Sequence, residues 1–288
     1  MRTTNVAMYS PNSTEPVNFS LGDKAINTKY LIRAIMGLDA EEITPMFYGF
    51  GTVSKNRFYN FGLRAREIVM RLVLRPNYRL GESFSDVRDE LYRMISANRS
   101  GIITLHFNAD ATNVAKIEGF ITKFEVGYFN KEPEVQITIR CDDPMFRSVI
   151  PATLRPEDVV GLAALDYPNV NISDTLSTAP HGFTTDITFK SNTAALTIKD
   201  KEGSDNDWFF TVLLDGGFIP FDILHLSSEF ANRSLVLERG GNFFPIIDMI
   251  QPGSVWPIIF PGENYLYFSP AANIDWTSID YYASYWGV

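Results

Sequence analysis

Residues 134–146 read Glu-Val-Gln-Ile-Thr-Ile-Arg-Cys-Asp-Asp-Pro-Met-Phe. Val135, Ile137 and Ile139 alternate with Gln136, Thr138 and Arg140. This period of two predicts a strand with an apolar inner face and a polar outer face. Pro144 cannot donate to a ladder, so the strand is expected to stop in a turn over Cys141–Phe146. That turn reads as the close of a structural unit. The next stretch, Val-Ile-Pro-Ala-Thr-Leu-Arg-Pro at 149–156, holds two prolines and reads as a linker.

Upstream the same logic gives strands at 102–107 and 116–128. Residues 65–75 (Ala-Arg-Glu-Ile-Val-Met-Arg-Leu-Val-Leu-Arg) place Ile68, Met70, Leu72 and Leu74 on one side and Arg71 and Val73 on the other, a strand ended by Pro76. One helix is expected over 84–97. Ser83 and Asp86 have the spacing of a capping-box variant, and Ser85 is a second candidate cap. Phe84, Val87, Leu91 and Ile95 then share one face, and Gly101 frees the chain beyond it. Tyr30–Asp39 reads as strand and turn at Gly37. Residues 1–20, with Pro11, Pro16 and several Asn, Ser and Thr, read as an irregular arm.

Downstream, short apolar runs recur at 185–189, 194–198, 208–214, 219–226, 234–237 and 243–247. Asp215-Gly216-Gly217 and Arg239-Gly240-Gly241-Asn242 read as hairpin turns between them. Short strands with regular turns predict a β-sandwich. The 288 residues fit two domains, 1–148 and 161–288, joined by a linker at 149–160. Charge divides the same way. Residues 1–150 hold 19 Lys+Arg against 17 Asp+Glu; residues 151–288 hold 6 against 17. An acidic second half repels phosphates, which argues against nucleic acid as a partner there. No apolar run approaches the roughly 20 residues of a membrane helix. The single cysteine forms no internal disulfide, and the N-terminus lacks the apolar core of a signal peptide. The expectation is a soluble protein made in a cytoplasm.

The residues that carry chemistry are scarce. His106, His181 and His225 lie far apart with no partner at ligand spacing, and read as lone histidines. Cys141 reads as a small buried hydrophobe. The acidic stretch 200–207 lacks the order of a calcium loop and reads as a solvated turn. Asp142-Asp143 reads as a turn before Pro144. The histidine count disfavours a hydrolase, although acid pairs such as Glu229/Glu238 are open to assembly in space. No nucleophile elbow, zinc helix or phosphate loop is present. No catalytic, cofactor or metal residues are therefore expected. The C-terminus is dense in aromatics, which either alternate into and out of a core or form an exposed platform; in the second case Trp276, Tyr282 and Trp286 are the candidate contacts to a carbohydrate or a partner. The alternative function that follows is a carbohydrate-binding β-sandwich used in adsorption to a host surface.

The order of Tyr30–Asp39, the strand at 65–75, the helix at 84–97 and the close at Cys141-Asp-Asp-Pro-Met-Phe146 resembles the distal tail proteins of long-tailed bacteriophages. That family closes its first domain with an Asp-Pro-aromatic segment, matched here by Asp143, Pro144 and Phe146 with Met145 interposed. Ser254-Val-Trp256-Pro-Ile-Ile-Phe-Pro-Gly262-Glu-Asn264 is similar to a segment near the end of the family's galectin-like domain. The resemblance implies a mainly β protein: an N-terminal ring-forming β-sandwich with one helix, then a C-terminal galectin-like β-sandwich. It implies a structural virion protein, not an enzyme, that forms a homohexameric ring at the distal end of the tail. The implied partners are the major tail tube protein and the baseplate hub or tail tip protein, with the tape-measure protein a further candidate. Six copies of a strongly acidic surface would repel at the axis, so the second domain is expected at the periphery.

Overall fold

The computed structural model describes residues 5–10, 16–21, 29–39, 44–48, 57–62, 64–98, 101–107, 115–127, 134–156, 169–200, 208–230 and 232–287. Apart from Asp200, the acidic stretch 200–207 lies outside them. The chain divides into two compact units, one of Met1–Val149 with Tyr285–Val288 and one of Ile150–Ser284.

In chain order the first unit contains β1 (Asn5–Tyr9), β2 (Val17–Leu21), β3 (Tyr30–Met36), β4 (Thr44–Tyr48), β5 (Arg57–Gly62), β6 (Arg66–Leu74), α1 (Phe84–Asn98), β7 (Ile103–Phe107), β8 (Ala115–Val126), β9 (Glu134–Cys141) and β10 (Phe146–Ser148). The expected irregular arm over 1–20 thus contains two strands among its described residues. β1 and β2 pair antiparallel, and Val6, Met8, Val17 and Phe19 are core residues. The residues that suggested irregularity, Pro11 to Pro16, fall between the two strands.

A mainly β unit with one helix was expected and is present, but its main sheet closes on itself instead of splitting into two layers. The order β8-β7-β1-β2-β3-β6-β9 is completed by a β8–β9 pairing. The 12-residue β8 is long enough to serve both neighbours. Its first part pairs with β7 as far as Ile103↔Gly119, and from Phe120↔Arg140 onward it pairs with β9. Gly119 stands at the hand-over because a β-carbon there would meet Arg140 O at 2.6 Å and Cys141 Sγ at 2.9 Å. The helix begins with the expected reciprocal cap: Ser83 Oγ accepts from the Asp86 amide at 3.2 Å, and Asp86 Oδ2 accepts from the Ser83 amide at 2.8 Å. Val87, Leu91 and Ile95 enter the same core as Ile68, Met70, Leu72, Ile137 and Ile139.

The second unit contains β11 (Ala152–Leu154), β12 (Asn169–Asp174), β13 (Thr184–Phe189), β14 (Thr193–Lys199), β15 (Phe209–Phe218), β16 (Ile223–Ser227), β17 (Ser234–Arg239), β18 (Asn242–Pro245), β19 (Gly262–Ser269) and β20 (Ile274–Tyr281). A six-stranded sheet, β11-β20-β13-β16-β17-β18, and a four-stranded one, β12-β19-β14-β15, contribute to a single core. Ile187, Leu224 and Leu237 of one sheet share it with Ile172, Leu196, Phe210 and Phe268 of the other. Two sheets around one core are a β-sandwich.

Three boundaries differ from the sequence reading. Residues 152–154 do not belong to a linker; they form the edge strand β11, because Pro151 and Pro156 flank the paired residues without interrupting them. The last residues cluster with the first unit, not with the domain expected over 161–288. Asp215-Gly216-Gly217 is no hairpin end. It is an excursion inside β15, which resumes pairing at Thr193↔Phe218, with both glycines at positive φ. Gly240-Gly241, by contrast, forms the expected two-residue hairpin with φ of 58° and 79°.

Candidate assembly surfaces

The motif at 141–146 is explained by a residue on β6 that sequence reading passed over. Arg66 has the same parity as Ile68, Met70 and Leu72, so its side chain enters the core, where it is fully buried. Its Nε donates to Pro144 O at 2.7 Å, one terminal nitrogen to Gly37 O at 2.8 Å and Asp39 O at 2.7 Å, and the other to Trp286 O at 2.8 Å. The guanidinium carbon lies 4.6 Å from the Phe146 ring centre. Burying a cation is costly unless its donors are engaged, and this arrangement engages all three nitrogens. Asp143 builds the turn that presents Pro144: Oδ1 accepts from the Met145 amide at 3.1 Å, and Oδ2 accepts from Arg147 at 2.7 Å. Cys141 faces Arg66 across the β6–β9 ladder, and burial pushes its thiol up to about 12, so it is inert.

The three candidate contact residues do not form one platform. Trp276 is 8% exposed and belongs to the core of the second unit, since β20 alternates and Trp276 shares the inner parity of Ile274. A buried indole cannot stack a sugar, so this expectation is corrected. Tyr282 and Trp286 are both half-buried, and they fall in different units.

None of the three histidines is lone. His181 is buried, with Nε2 2.8 Å from Asp174 Oδ2 and Nδ1 3.1 Å from Gly182 O, and its ring stacks on Tyr281 at 5.0 Å. Burial works to raise Asp174, but its bonds with His181 and Ser177 outweigh that and hold it below its usual range. His225 sits between Asp186 at 2.7 Å and Glu238 at 3.1 Å. Burial works to lower it, yet the two carboxylates hold it above its usual range. His106 packs against Tyr9 at 4.3 Å and is lowered by burial and then by Lys116. Strand register creates the His225 pairing: Asp186 lies directly opposite it, 39 residues away in sequence. Among the described residues no three His, Cys, Asp or Glu side chains are arranged to hold a metal ion. No helix among them is long and apolar enough to cross a membrane.

The features suited to assembly lie elsewhere. β4 and β5 pair with each other in a separate two-stranded sheet and with no other described strand. An isolated hairpin is marginally stable in water, and the sequence 44–62 carries six aromatic residues. This aromatic run was the signal available for it. The turn after β6 presents Tyr78 and Leu80, 74% and 78% exposed. That turn is braced by local contacts: Asn77 Oδ1 accepts from the Arg79 amide at 3.2 Å, and Lys29 bridges Glu82 and Glu90 at 2.9 and 2.8 Å. A groove of about 720 Å³ is lined by Tyr92, Phe124 and Val126, with Arg71, Glu125 and Glu134 among the other residues of its wall.

No family model and no curated protein matches this sequence. Among solved structures, the chain matches SPP1 Dit (gp 19.1), described as a paradigm of the hub adsorption apparatus in phages that infect Gram-positive bacteria. The TM-score is 0.56, with 15% identity over 89% of this chain and 93% of that one. Two structures of the phage p2 baseplate in its activated conformation, with Sr and with Ca, match with TM-scores of 0.39 and 0.38 at 8% identity. They cover 96% and 97% of this chain, and 97% and 98% of theirs. The chain shares the fold of SPP1 Dit, in agreement with the family resemblance read from its motifs.

Proposed function

We propose that this chain is a structural virion protein that forms a hexameric ring at the distal end of a phage tail and joins the tail tube to the tip or baseplate hub. The observation that carries this reading is the Dit fold itself, which runs through 89% of the chain and so includes both units. Fold alone does not confer function; here it coincides with an aromatic hairpin that no other described strand pairs. A ring is one heterologous contact repeated until it closes, and the β4–β5 hairpin is suited to supply one side of it.

In this reading the first unit builds the ring against copies of itself, and the tail tube and hub proteins cap its two faces, with the tape-measure protein a further contact at the lumen. The second unit is a galectin-like sandwich that projects outward, since residues 151–288 carry 17 acidic against 6 basic residues and would repel at the axis. Assembly takes place in the host cytoplasm. The test is native mass spectrometry of the purified full chain beside a variant whose residues 44–62 are replaced by a Gly-Ser linker. The wild-type chain is expected at six times its monomer mass and the variant as monomer. A wild-type chain that stays monomeric at high concentration overturns the proposal.

A further inference from the structure

In the second unit one bulky residue combines a backbone conformation unfavourable to its side chain with a ring left in water. Phe221 has φ of 73°, alone among the described non-glycine residues in being positive. Its side chain is 87% exposed. The left-handed region is unfavourable for a bulky residue, and an exposed ring leaves apolar surface in water.

The conformation is nonetheless over-determined. The Phe221 amide donates to Phe189 O at 2.8 Å, and the Asp222 amide donates to Ile219 O at 3.1 Å. The buried Asp222 carboxylate accepts from the Ile219 amide at 2.9 Å and from two Arg239 nitrogens at 2.9 and 2.6 Å. Arg239 also donates to Gly217 O at 2.9 Å, and the buried Phe189 and Phe218 stack at 4.1 Å on the flanks of the turn. Local strain that the surroundings enforce marks functional positions, and exposed aromatic anchors carry much of the energy of protein interfaces.

We propose that Phe221 is the anchor of an interface with a second protein of the particle, one that presents an apolar pocket in a basic surface. Ile219, 41% exposed, stands beside it. Phe243, 63% exposed, lies at the same end of the six-stranded sheet, because Ile223, Glu238 and Phe243 are in register across β16, β17 and β18. Charge selects the occupant: 17 acidic against 6 basic residues over 151–288 favour a basic partner and disfavour a second copy of this unit. A sugar fits less well, since Ile219 and Pro220 precede the ring and the Asp222 carboxylate beside it is buried and already bonded.

This inference rests on the tail-assembly reading, and purified particles test the two separately. If the chain is absent from particles, the assembly reading fails and this inference with it. If the chain is present, hydroxyl-radical oxidation of Phe221 is expected to drop to near background relative to the isolated full chain. p-Benzoyl-phenylalanine at position 221 is then expected to cross-link to a Lys/Arg-rich peptide of another polypeptide. Phe221→Asn particles should keep this chain and lose that polypeptide. The isolated Phe221→Asn chain should melt no lower than wild type, because Asn tolerates left-handed backbone. Unprotected Phe221, cross-links confined to copies of this chain or to glycan, or a lowered melting temperature in Phe221→Asn would each overturn the proposal.

Discussion

Arg66 donates to the backbone carbonyl of Trp286 at 2.8 Å, across 220 residues of sequence. The same guanidinium holds Gly37, Asp39 and Pro144, so one buried cation ties the turn after β3, the close at 141–146 and the C-terminal residues into the first unit. The Asp-Pro-aromatic segment is therefore a structural device: Pro144 offers an acceptor and Phe146 a ring face to Arg66.

Replacing Arg66 by Met should destabilise the first unit by about 3 kcal/mol or more, because the carbonyls of Gly37, Asp39, Pro144 and Trp286 lose their donor at once. Removing residues 286–288 should cost less, and the two changes together less than their sum, since both delete one shared bond. Urea unfolding of the two variants and their combination checks this; strict additivity would contradict it.

Gly119→Ala should cost about 1–3 kcal/mol, the usual range for forcing extra volume into a packed site. The added methyl meets the Arg140 carbonyl at 2.6 Å, at the seam where β8 passes from β7 to β9. A lowered urea midpoint is the expected result. An unchanged one would mean that the seam is looser than the structure shows.

Trp276→Ala should destabilise the second unit by about 3–5 kcal/mol, as for other buried aromatic truncations. Any loss of host adsorption in such a variant should then track its unfolding on a thermal melt. Reduced adsorption by a variant that melts like wild type would restore Trp276 as a contact residue.

Stability should depend on pH in two windows. His225 is held above its ordinary 6.5, so its contribution is full below that value and is lost as pH rises through the folded value. Asp174 is held below its ordinary 3.8, so its contribution is full above that value and is lost as pH falls through the folded value. His225→Gln should flatten the decline above pH 6.5, and Asp174→Asn the decline below pH 3.8, in thermal melts across pH. Variants with the wild-type profile would show that these pairs carry no linked protons.

The strand at 134–140, the strand at 65–75 and the helix with its cap were legible because each is set by local period and local hydrogen bonds. The hairpin β1–β2 was missed because the polar run between its strands dominated the reading. Arg66 was missed for a different reason: its parity with Ile68 and Met70 places it inside, but the reading of 65–75 assigned it to neither face. The carboxylate partners of His225 were invisible because strand register, not spacing, brings them together. Trp276 stayed open between core and contact in the sequence because an aromatic on a half-buried strand has the same composition signal whichever face it takes.

Cryo-electron microscopy of the intact tail end tests the central claim most directly. The account predicts six copies of this chain in a closed ring at the distal end of the tube, with residues 44–62 against a neighbouring copy and the second units at the periphery. Tails with no such ring, or with residues 169–284 lining the lumen, would contradict it.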